Sequence, residues 1–202
     1  MDIDLRERFE EIRSQVSNIQ GWISDQDGIL LYKLARFNAP KPNIVELGSW
    51  KGKSTVWLAS AIRDRGEGLV YAVDHWKGSN EQIHKELLKD YEEDQLYYEF
   101  LNNLKQLELL DYVKPIKMDT ISATRQFDVN FEIGLLFIDA SHEYEDVRRD
   151  FEFWSPMVMV GGFIMFHDAV DSWPGVKRVV MELPKWYLPI YYNYSLIIQK
   201  IK

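Results

Sequence analysis

The chain has 202 residues, a net charge of −8 and no cysteine. Its length suits a single domain, 1–202, and 46% hydrophobic with 28% charged residues is a globular balance that argues against disorder. The acidic balance argues against a nucleic-acid backbone as main partner, and the lack of cysteine excludes disulfide frameworks and thiolate metal sites. The start, MDIDLRERFEEIR, has no apolar leader and no apolar run of about 18 residues occurs, so no membrane partner and a cytoplasmic location are expected.

In chain order, Ile3, Leu5, Phe9, Ile12, Val16 and Ile19 recur at roughly helical spacing. Gly21-Trp22-Ile23-Ser24 breaks the pattern, and Ser24 with Asp27 forms a capping-box variant opening a second helix through Phe37. Residues 1–40 thus read as an N-terminal helical segment. Ile44-Val45-Glu46-Leu47 is the first strand; it runs into Gly48 and Gly52, then into a helix with Val56, Trp57, Leu58, Ala59 and Ile62 on its apolar face. After a polar turn, Arg63 to Gly68, Leu69 to Val73 is a second strand ending in Asp74. Residues 77–95 are polar and partly helical, a lid or insertion, and Leu96 to Leu110 is an amphipathic helix. Val113 to Met118 is a third strand, placed near an edge or made irregular by Pro115. Ile133 to Ile138 is a fourth, almost wholly apolar, as a parallel strand covered on both faces should be. A helix over Glu143 to Trp154, a fifth strand over Gly161 to Phe166 and a short helix over Val176 to Leu183 follow. Two β-rich runs between Tyr187 and Ile201 suit an antiparallel pair at the sheet edge. This alternation implies an α/β fold: a doubly wound, mainly parallel sheet with right-handed crossovers and helices on both faces.

The turn between Leu47 and Ser54 is of the nucleotide-cofactor type, because a helix start directs backbone N–H groups and a positive dipole end at whatever lies above it. Gly48-Ser-Trp-Lys-Gly52-Lys53-Ser54 comes within one residue of the phosphate loop G-x-x-x-x-G-K-[ST], and Leu135 to Asp139 imitates the second strand of such nucleotide hydrolases. The dinucleotide fingerprint is absent, since Trp50 stands where its second glycine should be. What remains, E-x-G-x-x-x-G-x-S from Glu46 to Ser54, resembles motif I of class I S-adenosylmethionine-dependent methyltransferases; an ordinary βα turn is the plain alternative.

Strand ends carry the other candidates. Asp74 can accept hydrogen bonds from both hydroxyls of a ribose, or be a solvated strand-end acid. Asp119, followed by Thr120, can accept from an adenine amino group or cap a helix. Asp139 ends the fourth strand, and His167-Asp168 the fifth. His75 and Trp76 flank the adenine or pack the lid; His84 reads as solvated within the insertion where acceptor specificity would be built. Tyr187, Tyr191, Tyr192 and Tyr194 form an aromatic tail, either a sheet edge or the surface of a homo-oligomer.

From Phe137 to Asp168 the chain resembles the type 24 methyltransferase family, with D-x-x-H-x-Y at Asp139 to Tyr144, then Gly161-Gly162, then His167-Asp168. The resemblance implies a Rossmann-like, seven-stranded sheet with an antiparallel edge strand, and transfer of a methyl group from S-adenosylmethionine to a small-molecule or sugar hydroxyl. It assigns cofactor binding to Glu46, Gly48, Ser49, Trp50, Lys51, Gly52, Ser54, Asp74, His75, Asp119, Thr120 and Asp139. His142 and His167 become the candidate bases, since an imidazole of pKa about 6.5 suits that work; structural loop histidines are the alternative. Asp139 and Asp168 could hold Mg²⁺ as a second cofactor. Catechol-type relatives carry Asn where this chain has Ala169. The rival functions are a P-loop-like nucleotide hydrolase and a non-catalytic S-adenosylmethionine-binding protein.

Overall fold

The structure, a computed structural model, describes residues 4–79 and 81–202. Helix α1, Leu5–Val16, starts where Asp4 accepts hydrogen bonds from the amides of Arg6 and Glu7; Ile3, expected to begin it, lies outside the described residues. Helix α2, Asp25–Lys33, opens at Ser24, whose Oγ accepts from the Asp27 amide at 3.1 Å and donates to the Asp27 carboxylate at 2.6 Å. It passes into a π-turn over Leu34–Asn38. Then come β1 (Asn43–Leu47), α3 (Lys53–Arg65), β2 (Leu69–Asp74), α4 (Gln82–Leu88) and α5 (Gln95–Gln106). The second half contains β3 (Val113–Lys117), α6 (Thr120–Ala123), β4 (Ile133–Ile138), α7 (Tyr144–Trp154), β5 (Val158–Phe166), α8 (Pro174–Met181), β6 (Tyr187–Tyr192) and β7 (Leu196–Lys200). The helix expected as far as Leu110 stops at Gln106 and a 3-10 turn follows, while β5 starts three residues before the glycine pair expected to open it.

The seven strands lie in the order β3-β2-β1-β4-β5-β7-β6. Strands β1 to β5 pair in parallel, and β7 runs antiparallel to both β5 and β6, so the last two strands form the expected antiparallel edge pair. Pro115 fits because β3 is the opposite edge, where a missing N–H costs no ladder bond on the open side. Successive side chains of β4 enter different cores: Leu135 and Phe137 pack with Trp57, Tyr32 and Phe100, and Leu136 and Ile138 with Trp154 and Ile164. That two-sided burial is why the strand is apolar throughout. Among the described residues no helix is long and apolar enough to cross a membrane. The order reverses between β1 and β4, and the crevice at such a reversal is where these sheets bind ligands.

Candidate active site

A cavity of ≈460 Å³ opens over the carboxyl ends of β1 to β5, with Gly21, Trp22 and Ile23 on one side and Ser79, Glu81 and His84 from the 77–95 insertion on another. Such a volume suits a small-molecule cofactor and its substrate. Its floor depends on Gly48, whose φ of +85° and close approach exclude a side chain: a Cβ there would lie 2.3 Å from the backbone oxygen of Asp139.

The glycine turn and Asp74 form one hydrogen-bonded unit. The Ser49 and Trp50 amides both donate to Asp74 Oδ2 at 2.9 Å, and the Trp76 amide donates to Oδ1 at 2.6 Å. These two turn amides are therefore not free to point at a ligand, as the motif alone suggested; Trp50, at φ 47°, folds the turn back toward β2. A phosphate loop needs such amides free, which removes the physical basis of the nucleotide-hydrolase alternative. Asp74 itself lines the cavity.

Three expected cofactor residues do not reach the cavity wall. Glu46 is fully buried beneath the turn, where it accepts from Ser49 Oγ at 2.8 Å and Thr55 Oγ1 at 2.6 Å. Burial pushes its pKa up to about 7 in spite of the hydroxyls around it. Glu46 thus supports the turn from behind. Lys51 points away, bonding Tyr91 Oη at 2.6 Å and Glu99 at 2.8 Å, and Gly52, left-handed at φ +88°, faces Phe100. Gly48, Ser49, Trp50, Ser54, Asp74, His75, Asp119, Thr120 and Asp139 do line the cavity.

At the β3 end, Asp119 caps α6 by accepting from the Ser122 amide at 2.8 Å, a bond that draws its pKa down. Thr120 Oγ1 donates to Asp150 on α7. Asp150 is only 3% exposed, and burial pushes its pKa up to about 7. The sequence held its signal: Val147, Asp150, Phe151 and Trp154 form the buried stripe of α7, so Asp150 is an acid in an apolar register. His75 is half exposed and accepts from the Lys77 amide, whereas Trp76 is buried against Tyr97 and Phe100. His84, expected in solvent, stacks on Trp50 with ring centroids 4.5 Å apart, and burial lowers its pKa.

At the β4 and β5 ends, Asp139, His142, His167 and Asp168 come together as anticipated. His142 Nε2 lies 2.8 Å from Asp168 Oδ2, and His167 Nδ1 lies 2.9 Å from Asp168 Oδ2 and 3.2 Å from Asp139 Oδ1. Two residues that sequence reasoning passed over hold His142 from other sides: Glu81 of the insertion at 2.6 Å from Nδ1, and Trp173 stacked at 3.8 Å. Burial disfavours charge on His142, but bonds to Asp168 and Glu81 outweigh it and push its pKa up to about 9. Burial likewise opposes charge on His167, and Asp139 and Asp168 overcome it. Asp168, though buried, is held well below the carboxylate range by the two histidines. The surrounding acids thus favour the charged form of both histidines, and either would have to lose that proton before acting as a base. One atom each of Asp139, His142 and Asp168 lie within 4.8 Å of one another, which adds His142 to the expected pair of metal ligands.

A group whose folded pKa is raised stabilises the fold below its unfolded pKa and loses that contribution as pH rises through the folded value. For His142 the window runs from about 6.5 to about 9. With a chelator present, stability should fall by about 1–3 kcal/mol between those limits. Urea unfolding at pH 6.5 and 9.5 checks this, and His142→Asn should flatten the dependence.

A doubly wound sheet with a glycine turn clamped to the next strand's acid, and a polar cluster across the same cavity, defines the class of α/β proteins whose ligand crevice lies at the strand-order reversal. The match to the methyltransferase-domain family of type 24 extends over residues 45–169, and the chain belongs to that family. Among curated proteins it is 28% identical over 135 residues to uncharacterized protein y4gI of Sinorhizobium fredii, a stretch covering 62% of this chain and 13% of that protein. It is 37% identical over 57 residues to uncharacterized protein R132 of Acanthamoeba polyphaga mimivirus, covering 25% of this chain and 26% of that protein. The chain thus spans a minor part of each.

Solved structures share the fold. The O-methyltransferase TomG of Streptomyces achromogenes, involved in tomaymycin synthesis and solved in complex with SAM, matches with TM-score 0.68 and 15% identity over 100% of this chain and 92% of that one. The SAH-bound methyltransferase PaMTH1 of Podospora anserina matches with TM-score 0.67 and 16% identity over 100% and 89%. An O-methyltransferase of Bacillus cereus in complex with SAH gives TM-score 0.64 and 16% identity over 99% and 92%.

Proposed function

We propose that the protein uses S-adenosylmethionine to methylate a hydroxyl oxygen of a small molecule or sugar. The observation that carries this is one cavity joining the Asp74-clamped turn to the Asp139–His142–Asp168 cluster. The O-methyltransferases of like fold that were solved with SAM or SAH support it. When bound, the cofactor supplies an electrophilic methyl group on its sulfonium. Asp74 keeps one lone pair, on Oδ1, for a ribose hydroxyl while two turn amides and the Trp76 amide fix its carboxylate. An acceptor hydroxyl seated beside Asp139 would donate a hydrogen bond to that carboxylate. With no ion bound, His142, fixed by Glu81 and Asp168, would take the hydroxyl proton once its own has passed to Glu81.

Asp139, Asp168 and His142 fit a divalent ion in donor type and spacing, and Asp168 Oδ1 is buried without a partner among the described residues. They would hold Mg²⁺, which would acidify the acceptor hydroxyl.

Thermal unfolding tests the cofactor reading. At a hundredfold excess over its dissociation constant, S-adenosylhomocysteine should add about 2.7 kcal/mol, a rise of roughly 5–10 °C for a domain of this size. ATP should leave the midpoint where Mg²⁺ alone puts it. A shift with ATP and none with S-adenosylhomocysteine would overturn the assignment. Matched hydroxyl and amine acceptors, followed by mass spectrometry, then decide the acceptor atom.

A further inference from the structure

We infer that Asp150, on α7, reads the exocyclic amino group of the cofactor's adenine. The inference rests on the cofactor assignment above and adds to it a residue that the resemblance did not assign. Strand order places the base. Asp74 ends β2, and the polar cluster ends β4 and β5, on the far side of β1. A ligand with its ribose on Asp74 and its reacting end over that cluster must extend its base the other way, over β3. The cavity wall there consists of Met118, Asp119, Thr120 and Ile121 from the β3 end, with Arg149 and Asp150 of α7 facing them.

Of the two carboxylates at this end, Asp119 has its Oδ1 committed to the Ser122 amide at the start of α6. Asp150 is different in kind. It is 3% exposed, lines the cavity, and receives a hydrogen bond on Oδ1 from Thr120 Oγ1. Among the described residues no second hydrogen bond reaches the group, and Arg149 beside it on α7 acts on it through charge without bonding it. A carboxylate this buried with one hydroxyl bonded to it is short of donors, and such groups are kept where something else completes them. The Thr120 bond ties the side chain to the β3 end, and Trp154, one turn further along α7, fixes the same segment through its Nε1 bond to the Thr120 carbonyl at 3.0 Å. An adenine amino group brings two N–H donors and an aromatic edge that suits Ile121 beside it.

Calorimetric titration with S-adenosylhomocysteine and with its purine analogue, which has hydrogen in place of the amino group, tests this without any acceptor. The wild-type protein should prefer S-adenosylhomocysteine by about tenfold or more, because the analogue leaves the carboxylate unpaired. Asp150→Leu should bring the ratio to about one by removing that penalty, with the analogue binding no worse than before. Asp119→Ala should leave the ratio unchanged. A residue that merely ties α6 to α7 would weaken both ligands alike in Asp150→Leu, and that result overturns the inference, as does a ratio that collapses in Asp119→Ala. Should Asp150→Leu not fold, Thr120→Val, which frees the carboxylate from its tie, must narrow the wild-type ratio, and an unchanged ratio counts against Asp150. Equal binding of both ligands by the wild type sinks the Asp150 assignment alone. Binding of neither sinks the cofactor reading and this inference together.

Discussion

Asp74→Ala is expected to weaken S-adenosylhomocysteine binding by about tenfold to 100-fold. The one ribose hydrogen bond its remaining lone pair can accept is worth about 1.5–3 kcal/mol to a charged acceptor, and about 1.4 kcal/mol is tenfold. The same substitution strips the Ser49, Trp50 and Trp76 amides of their acceptor, so the turn beneath the cofactor loses its clamp as well. Because Asp74 serves the ligand and the loop with the same two oxygens, Asp74→Asn should fall between wild type and alanine: one amide oxygen can still accept. Calorimetric titration of the three proteins checks this. A loss in Asp74→Ala smaller than about tenfold would mean that the ribose is held elsewhere.

Asp168→Ala should cost about 3–5 kcal/mol of folding stability, the usual penalty for removing one partner of a buried ion pair. Asp168 is 5% exposed and faces His142 and His167 at once, so its loss leaves two buried imidazolium ions short of their shared anion. Alanine would also have to adopt φ 56°, a left-handed conformation that asparagine tolerates better, which makes Asp168→Asn the milder variant. Since the folded carboxyl is held below its unfolded pKa, its contribution is present above about pH 4 and disappears as acid protonates it. Wild type should therefore lose stability on acidification more steeply than Asp168→Ala, and urea titrations at pH 3 to 7 measure the difference. Methyl transfer should vanish in Asp168→Ala, because His142 loses the partner that sets its ring.

Much of this was legible in the chain. The run from Ile44 to Ile62 encodes strand, glycine turn and helix within a few residues of one another, so local sterics suffice: Gly48 and Gly52 sit at φ +85° and +88°, a left-handed conformation that glycine takes without strain. The apolar β4, the proline-marked edge strand and the acids after β2, β3, β4 and β5 follow from burial periodicity and from where a parallel sheet opens. Sequence also placed Asp139, His142, His167 and Asp168 at one end of the site.

What only the tertiary structure decided is which way side chains point and what they meet. Glu81 reaches His142 from 61 residues away, and Thr120 meets Asp150 across 30. Lys51 leaves the ligand for Tyr91 and Glu99, and Glu46 turns beneath the loop it was expected to line. The reason is the same in each case. Periodicity reports whether a residue is buried, because burial is set by the face of its own helix or strand. A partner is set by how separate elements close on one another, which no local pattern specifies. Sequence by itself thus determined the fold, the glycine turn and the acids around it, and folding alone determined which of those acids line the cavity and which hold the scaffold.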